Sequence, residues 1–206
     1  SRPAGGRYFH ALNANKRSIS IDAKNEMAKK ALQEIVGSCD IMVANMRPGA
    51  TGRMGLGTET LKTLNPKMIE VHVTAFGWDG PFAKRPGVDP LAQAWMGLQV
   101  AQGGEGNPPS FLSPVAPTDY TGGCLGALGA VMALYAREKN GIGQVVNTNL
   151  LNAGCLLLAG DFARYENKVP RRLSDKHQNG LSDFHRLYQT LDGYIYVSAE
   201  RSDLAE

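Results

Sequence analysis

"DIMVANMRPGATGRMGLGTETLKTLNPKMIEVHVTAF", residues 40–76, places two short apolar runs on either side of a glycine-rich stretch. The first run, "DIMVA" (40–44), reads as a short buried strand, and "MIEVHVTAF" (68–76) reads as another. Between them lie a glycine-rich loop, "NMRPGATGRMGLG", and a short helix, "TETLKTL", which Asn65-Pro66 ends. Upstream, "NEMAKKALQEIVGSCD" sets Met27, Ala28, Ala31, Leu32, Ile35 and Val36 on one helical face. Lys29, Lys30, Gln33 and Glu34 take the opposite face, and Gly37 supplies the stop. Further upstream, "SISID" (18–22) alternates like a strand. The resulting β-α-β-α-β order predicts an α/β fold with a parallel, Rossmann-like sheet and right-handed crossovers. Ligands of such sheets bind at the loops leaving the carboxyl ends of strands, here 45–57 and 75–90.

Downstream, residues 77–118 are rich in Gly and Pro, with a helix expected over 89–98. A long helix is expected from about 120 to 139, stopped at Asn140-Gly141. "GQVVNTNL" reads as a strand and "LLNAGCLLLAGDFARY" as a helix. The polar, basic run 166–184 reads as a linker. "FHRLYQTLDGYIYVSAE" reads as a β-hairpin around Asp192-Gly193. The expected organisation is a large α/β domain over 1–165, the linker, and from 185 to 206 the opening of a smaller α+β domain.

The 206 residues, 43% hydrophobic, suffice for one sizeable core. The N-terminal serine reads as a processed chain or fragment. Cys39, Cys124 and Cys155 have no paired spacing and read as reduced thiols of a cytoplasmic protein, neither a disulfide frame nor a metal site. His10, His72, His177 and His185 show no ligand spacing, and His72 alternates within a predicted strand. The first residues lack the apolar run of a signal peptide, and the longest uncharged run, Tyr120 to Ala136, reads as too short and glycine-rich for a membrane span. The net charge of +3 does not argue for nucleic acid. It leaves room for local cationic clusters facing an anionic small molecule.

Two places carry chemistry. In "PTDYTGGCLGALGAVMALYAREKNGIGQ" (117–144), Asp119 is the last charge before Arg137. It stands where a helix N-cap is expected, ionised by the free amides of the first turn. It can be a cap only, or a nucleophile beside amides able to meet developing negative charge. Four helix glycines follow, Gly122, Gly123, Gly126 and Gly129, costing about 3–4 kcal/mol relative to alanine. Close approach of another helix, or else of a ligand, would offset that. The second place is the 45–57 loop. Arg47 and Arg53 flank Pro48 and Gly49 just after a strand, a pattern suited to phosphate. Lys16, Arg17 and Lys24 add charge nearby. "GLG" at 55–57 opens no dinucleotide fingerprint.

Taken in order, "NANKRSISID", "ANMRPGATGRMGLG", "LNPKMIEVHVTAFGWDGP", "PGVDPLAQAWMGL", "PTDYTGGCLGALGAVMALYAREKNGIGQ" and "QTLDGYIYVS" resemble the class III coenzyme A transferases, the family of formyl-CoA and carnitine CoA-transferases. The resemblance implies a nucleotide-binding α/β large domain and a smaller domain in a dimer of interlocked subunits. It implies CoA transfer from an acyl-CoA to a small carboxylic acid, CoA being a substrate and no cofactor being held permanently. At the position of Asp119 the family has its nucleophile, which passes through a covalent aspartyl intermediate.

By the same resemblance, Ile21 and Lys24 fall where the family meets the nucleotide end of CoA. Asn45, Met46 and Arg47 fall on the segment lining adenine and phosphates, and Arg53 on a phosphate-binding arginine. Pro86, Gly87, Val88 and Asp89 fall near pantetheine and the catalytic aspartate. Racemases of the superfamily carry a histidine where Val88 stands, so acyl transfer is favoured over a 2-methylacyl-CoA racemase. A non-catalytic subunit of a hetero-oligomeric transferase is the remaining alternative, against which Asp119 speaks. The chain is expected to start after the family's first strand and to end soon after the small domain begins.

Overall fold

The computed structural model describes residues 6–112 and 115–200. The first helices are α1 (Arg7–Leu12) and α2 (Glu26–Gly37), and β1 (Ile41–Ala44) follows. Short helices α3 (Ala50–Arg53) and α4 (Thr58–Leu64) lead into β2 (Ile69–Thr74). Then come α5 (Asp89–Met96), α6 (Leu98–Gly103), α7 (Pro117–Asn140) and β3 (Val145–Asn149). Beyond β3 lie α8 (Leu150–Leu157), α9 (Ala159–Phe162), β4 (Gly180–Ser182), β5 (His185–Gln189) and β6 (Tyr194–Ser198). The architecture is mixed α/β. β1, β2 and β3 form a parallel sheet in that order, with Val43 beside Val71 and Val71 beside Val146.

β2 is the central strand, and its two faces divide by the period of two. Ile69, Val71 and Val73 face α7, where Ile69 and Val71 join Ala130 and Ala133 in one core cluster. Full burial of each such Ile or Val contributes about 1.5–3 kcal/mol. The opposite side is closed by a second cluster of Leu56, Leu61 and Met68, joined by Leu32 and Val36 of α2 and Met42 of β1. Glu70 and His72 are buried on this even-numbered face of β2. Glu70 accepts from Thr58 Oγ1, and the His72 ring lies 4.4 Å from that of Trp78. A packed role for His72 explains its burial.

α2 starts where expected, because Asn25 caps it by accepting from the amides of Met27 and Ala28. Its inward face is rotated from the expected one: Met27 is 82% exposed, while Leu32 and Val36 carry the packing. Met27, Ala31 and Ile35 of the expected face are exposed, so a narrower stripe than the whole apolar face is covered. Residues 18–22 run without strand assignment, contrary to the alternation of "SISID". A strand needs a ladder partner, and none pairs with them among the described residues. The long helix α7 begins three residues earlier than expected, at Pro117, because proline is favoured at the first helical position.

The glycines of α7 do not serve a helix–helix contact in the main. A Cβ on Gly126 would lie 3.1 Å from Val73 Cγ2, and one on Gly129 only 2.4 Å from Val146 Cγ1. The side-chain-poor edge therefore lies against the sheet, which lets α7 approach β2 and β3 closely.

The hairpin around Asp192-Gly193 is present as β5 and β6, closed by Thr190 N–H donating to Gly193 O. β4 adds a third antiparallel strand inside the run expected to be a linker. That run is also tied down. Glu105 N–H donates to Ser174 O, and the Asn107 side chain donates to Lys176 O.

Candidate active site

A cleft of about 510 Å³ opens at the carboxyl ends of β1 and β2. Val43 and Asn45 line it from β1 and its exit, Val73, Thr74 and Ala75 from β2, and Gly87 and Val88 from the loop before α5. Asp119 and Gly123 of α7 and Leu150 of α8 complete it. The expected ligand position outside the strand ends is thus where the cleft lies. Gly87 makes this wall possible: a Cβ there would stand 2.4 Å from Ala75 Cβ and 2.7 Å from Phe76 Cε2. Gly123, one turn after Asp119, has no atom within 4 Å of the corresponding point. Its missing side chain keeps space open beside the carboxylate.

Among the described residues, Asp119 is the one charged side chain lining the cleft. It is not the cap of α7. Ala116 holds the cap position, Pro117 is the first helical residue, and Asp119 is the third. The capping is done from another element. Asp89, the first residue of α5 and only 3% exposed, accepts through Oδ1 from Thr118 N–H at 2.8 Å and Asp119 N–H at 3.3 Å. The same oxygen accepts from Thr118 Oγ1, and Oδ2 accepts from Gln93 Nε2. Gln93 in turn accepts from Leu112 N–H at 3.3 Å.

This overturns the expectation of free amides beside Asp119. Pro117 has no N–H, Thr118 and Asp119 donate to Asp89, and Tyr120 donates to Ala116 O. Asp89 is poorly placed to act in the cleft itself, since it is buried and both of its oxygens accept hydrogen bonds. Asp89 sits behind the cleft wall, whereas its neighbours Gly87 and Val88 are in it.

Among the described residues the Asp119 carboxylate accepts no hydrogen bond. Partial burial, and then the negative charge of Asp89, hold its carboxyl above the ordinary aspartate value of 3.8. Both effects disfavour the charged form. Asp119 is exposed to solvent, and its carboxylate, held by no donor among the described residues, is free to approach an electrophilic carbonyl.

The other expected contacts are only partly gathered. Asn45 lines the cleft, and Met46 and Arg47 continue the same exposed segment away from it. Gly49 turns the chain with φ +80° into α3, and Arg53 Nη1 lies 3.6 Å from the point its Cβ would occupy. The Arg53 guanidinium thus folds back over the glycine of its own loop. Pro86 is exposed at the cleft edge. Ile21 and Lys24 lie on the approach to α2, outside the cleft lining. Thr118 and Gln93 were not legible as site residues. The i,i+4 spacing of Asp89 and Gln93 on one helix face was the available signal for Gln93. Among the described residues no group of three or more His, Cys, Asp or Glu is arranged to hold a metal ion. None of the described helices is long and apolar enough to cross a membrane. All three cysteines are free and exposed.

The profile of CoA-transferase family III matches residues 2–206. Human succinyl-CoA:glutarate CoA-transferase is 35% identical over 195 residues, covering 93% of this chain and 44% of that protein. Acetyl-CoA:oxalate CoA-transferase of Acetobacter aceti is 31% identical over 172 residues, covering 82% of this chain and 44% of that protein. Among solved structures, a CAIB/BAIF family protein from Brucella suis superposes with a TM-score of 0.81 at 30% identity, covering 93% of this chain and 50% of that one. The chain thus spans about half the length of the relatives it matches.

Proposed function

The chain belongs to CoA-transferase family III, and from that premise we propose that it forms part of an acyl-CoA:carboxylate CoA-transferase in which Asp119 is the nucleophile. The observation that carries this reading is Asp119 itself: one charged side chain, without hydrogen-bond donors, in a cleft at the strand ends. The Asp119 carboxylate attacks the thioester carbonyl. The C–S bond breaks, CoA leaves as the thiolate, and a mixed anhydride remains. The thiolate then attacks the aspartyl carbonyl, the first acid leaves as its carboxylate, and an aspartyl-CoA thioester is formed. The acceptor carboxylate repeats these steps in reverse, so no proton or electron is consumed.

Because the α7 amides are committed to Asp89, the donors for the oxyanion come from groups other than that first turn. Arg47 and Arg53 serve the phosphates of CoA, with Asn45 and Met46 between them and the cleft. Ile21 and Lys24 serve the nucleotide end, and Pro86, Gly87 and Val88 border pantetheine. Val88 lines the cleft, and a valine moves no proton, which supports transfer over racemisation.

The working unit is an interlocked homodimer. Leu128, Val131, Met132 and Tyr135 of α7 are each more than half exposed in this chain, which supports their burial in an assembly. Sedimentation of the whole protein should give a dimer, and a stable monomer would contradict this part of the reading. The test of the chemistry is mass spectrometry of the whole protein mixed with a panel of acyl-CoAs. The expected result is an adduct on the peptide containing Asp119, trapped by hydroxylamine or borohydride. Transfer at full rate with no adduct on that peptide in any acyl-CoA would sink covalent catalysis at this residue.

A further inference from the structure

We propose that Asp89 is a positioning residue for transfer: it caps α7 from a separate helix and thereby fixes where Asp119 stands in the cleft. The proposal rests on the reading of Asp119 as nucleophile. It starts from an anomaly in the capping. The amides of a helix's first turn are ordinarily capped by a Ser, Thr, Asp or Asn at the N-cap, but here that position is Ala116, which has no side-chain acceptor. Here the amides of Thr118 and Asp119 go instead to a carboxylate 29 and 30 residues upstream, respectively. Asp119, the third residue of the helix, takes no part in the capping and lines the cleft.

Geometry makes the device rigid. Asp89 is 3% exposed and Gln93 and Thr118 are fully buried. Asp89 joins α5 to the first turn of α7, and Gln93 extends the connection to Leu112 N–H in the segment leading toward α7. Helices α5 and α7 therefore meet at one carboxylate, with the segment at Leu112 joined through Gln93, and a shift of that carboxylate moves the backbone that carries Asp119. The same proximity places a negative charge behind Asp119. From β1, β2, the 75–88 loop and α8 the cleft lining around Asp119 is neutral, so Asp89 is the charged neighbour that acts on it.

The test is steady-state kinetics of the whole protein carrying Asp89→Asn, across pH. Misplacing a reacting group costs up to about 100-fold in rate, so the expected result is a kcat reduced about 10- to 100-fold with KM for acyl-CoA changed less than about threefold. The acid limb of kcat should move to lower pH, because the charge behind Asp119 is gone. Thr118→Val and Thr118→Ser form a second pair that keeps the buried charge. Valine should lower kcat by removing the hydroxyl donor, and serine should restore most of it. Wild-type kcat and an unmoved acid limb in Asp89→Asn would overturn the proposal, as would equal losses in kcat and thermal stability with no change in the pH profile. If Asp89→Asn fails to fold, the Thr118 pair decides, and equal kcat for valine and serine overturns it. Failure of the nucleophile reading is separate, since it shows as full turnover in Asp119→Asn.

Discussion

Two helix N-termini lie side by side in this molecule, and each carries an aspartate in its first turn. At α5, Asp89 is buried and accepts from Thr118, Asp119 and Gln93. At α7, Asp119 faces the cleft and accepts from nothing among the described residues. The pair is asymmetric for a physical reason. A buried carboxylate must have its oxygens satisfied or it costs several kcal/mol, so the buried member of the pair takes the donors. The member at the surface can remain without them because water reaches it. The contrast separates structural from chemical roles for one residue type, which the side-chain formula alone does not do.

The contrast is broken most sharply by Asp119→Asn. Asparagine keeps the size and removes the nucleophile, so transfer should fall by about three orders of magnitude or more. Stability should stay within about 1 kcal/mol of the parent, since Asp119 caps nothing. Paired thermal unfolding and transfer rates on the whole protein check this, and a large loss of stability would mean that Asp119 has a structural role that the geometry does not contain.

Next in size is the phosphate loop. Arg53→Ala should weaken CoA binding by about 1.5–3 kcal/mol, the range of a charge-assisted hydrogen bond. Calorimetry with CoA reads it directly, and unchanged affinity in a folded variant removes Arg53 from the site.

Smaller effects come from the two glycine faces of α7. Gly129→Ala would put a Cβ against the stiff Val146 side chain. Overpacking costs about 1–3 kcal/mol and the gain in helix propensity returns about 1, so a net loss near 1 kcal/mol is expected in chemical denaturation. Gly123→Ala meets open space and should gain up to about 1 kcal/mol of stability. It also narrows the cleft beside Asp119, so its KM for bulky acyl-CoAs should rise. Equal stability changes in the two variants would contradict the difference between the faces.

The smallest effect is on pH. Asp119 binds its proton more tightly folded than unfolded, so its contribution to stability is present at low pH. That contribution is lost as pH rises from 3.8 through the raised folded value. Asp119→Asn should flatten this part of the stability curve. Transfer has the opposite sign: the reactive species is the carboxylate, so the rate climbs with pH through the same raised value.

Much of this molecule was legible from residue order. The β-α-β pattern of residues 40–76 required a parallel sheet, because two apolar runs joined through a helix cannot pair as a hairpin. The match to the family followed from motifs spread over the whole chain. Asn140-Gly141, which ends α7 with Gly141 at φ +74°, acts on its nearest neighbours, so local sequence was enough there. Asp119 as the candidate nucleophile came from the resemblance and from its isolation among neutral residues.

Residue order by itself thus determined the α/β class, the family and the short list of reactive groups, because periodicity, turn chemistry and motif identity are local properties of a chain. Only the tertiary structure decided which aspartate caps α7, whether the α7 glycines meet a sheet or a helix, and why "SISID" forms no strand. Each of those depends on a partner far away in the chain: Asp89 for Thr118, Val146 for Gly129, a pairing edge for residues 18–22. A hydrogen bond or van der Waals contact acts over a few ångströms of space, and separation along the chain does not enter its energy once the fold has brought the two groups together.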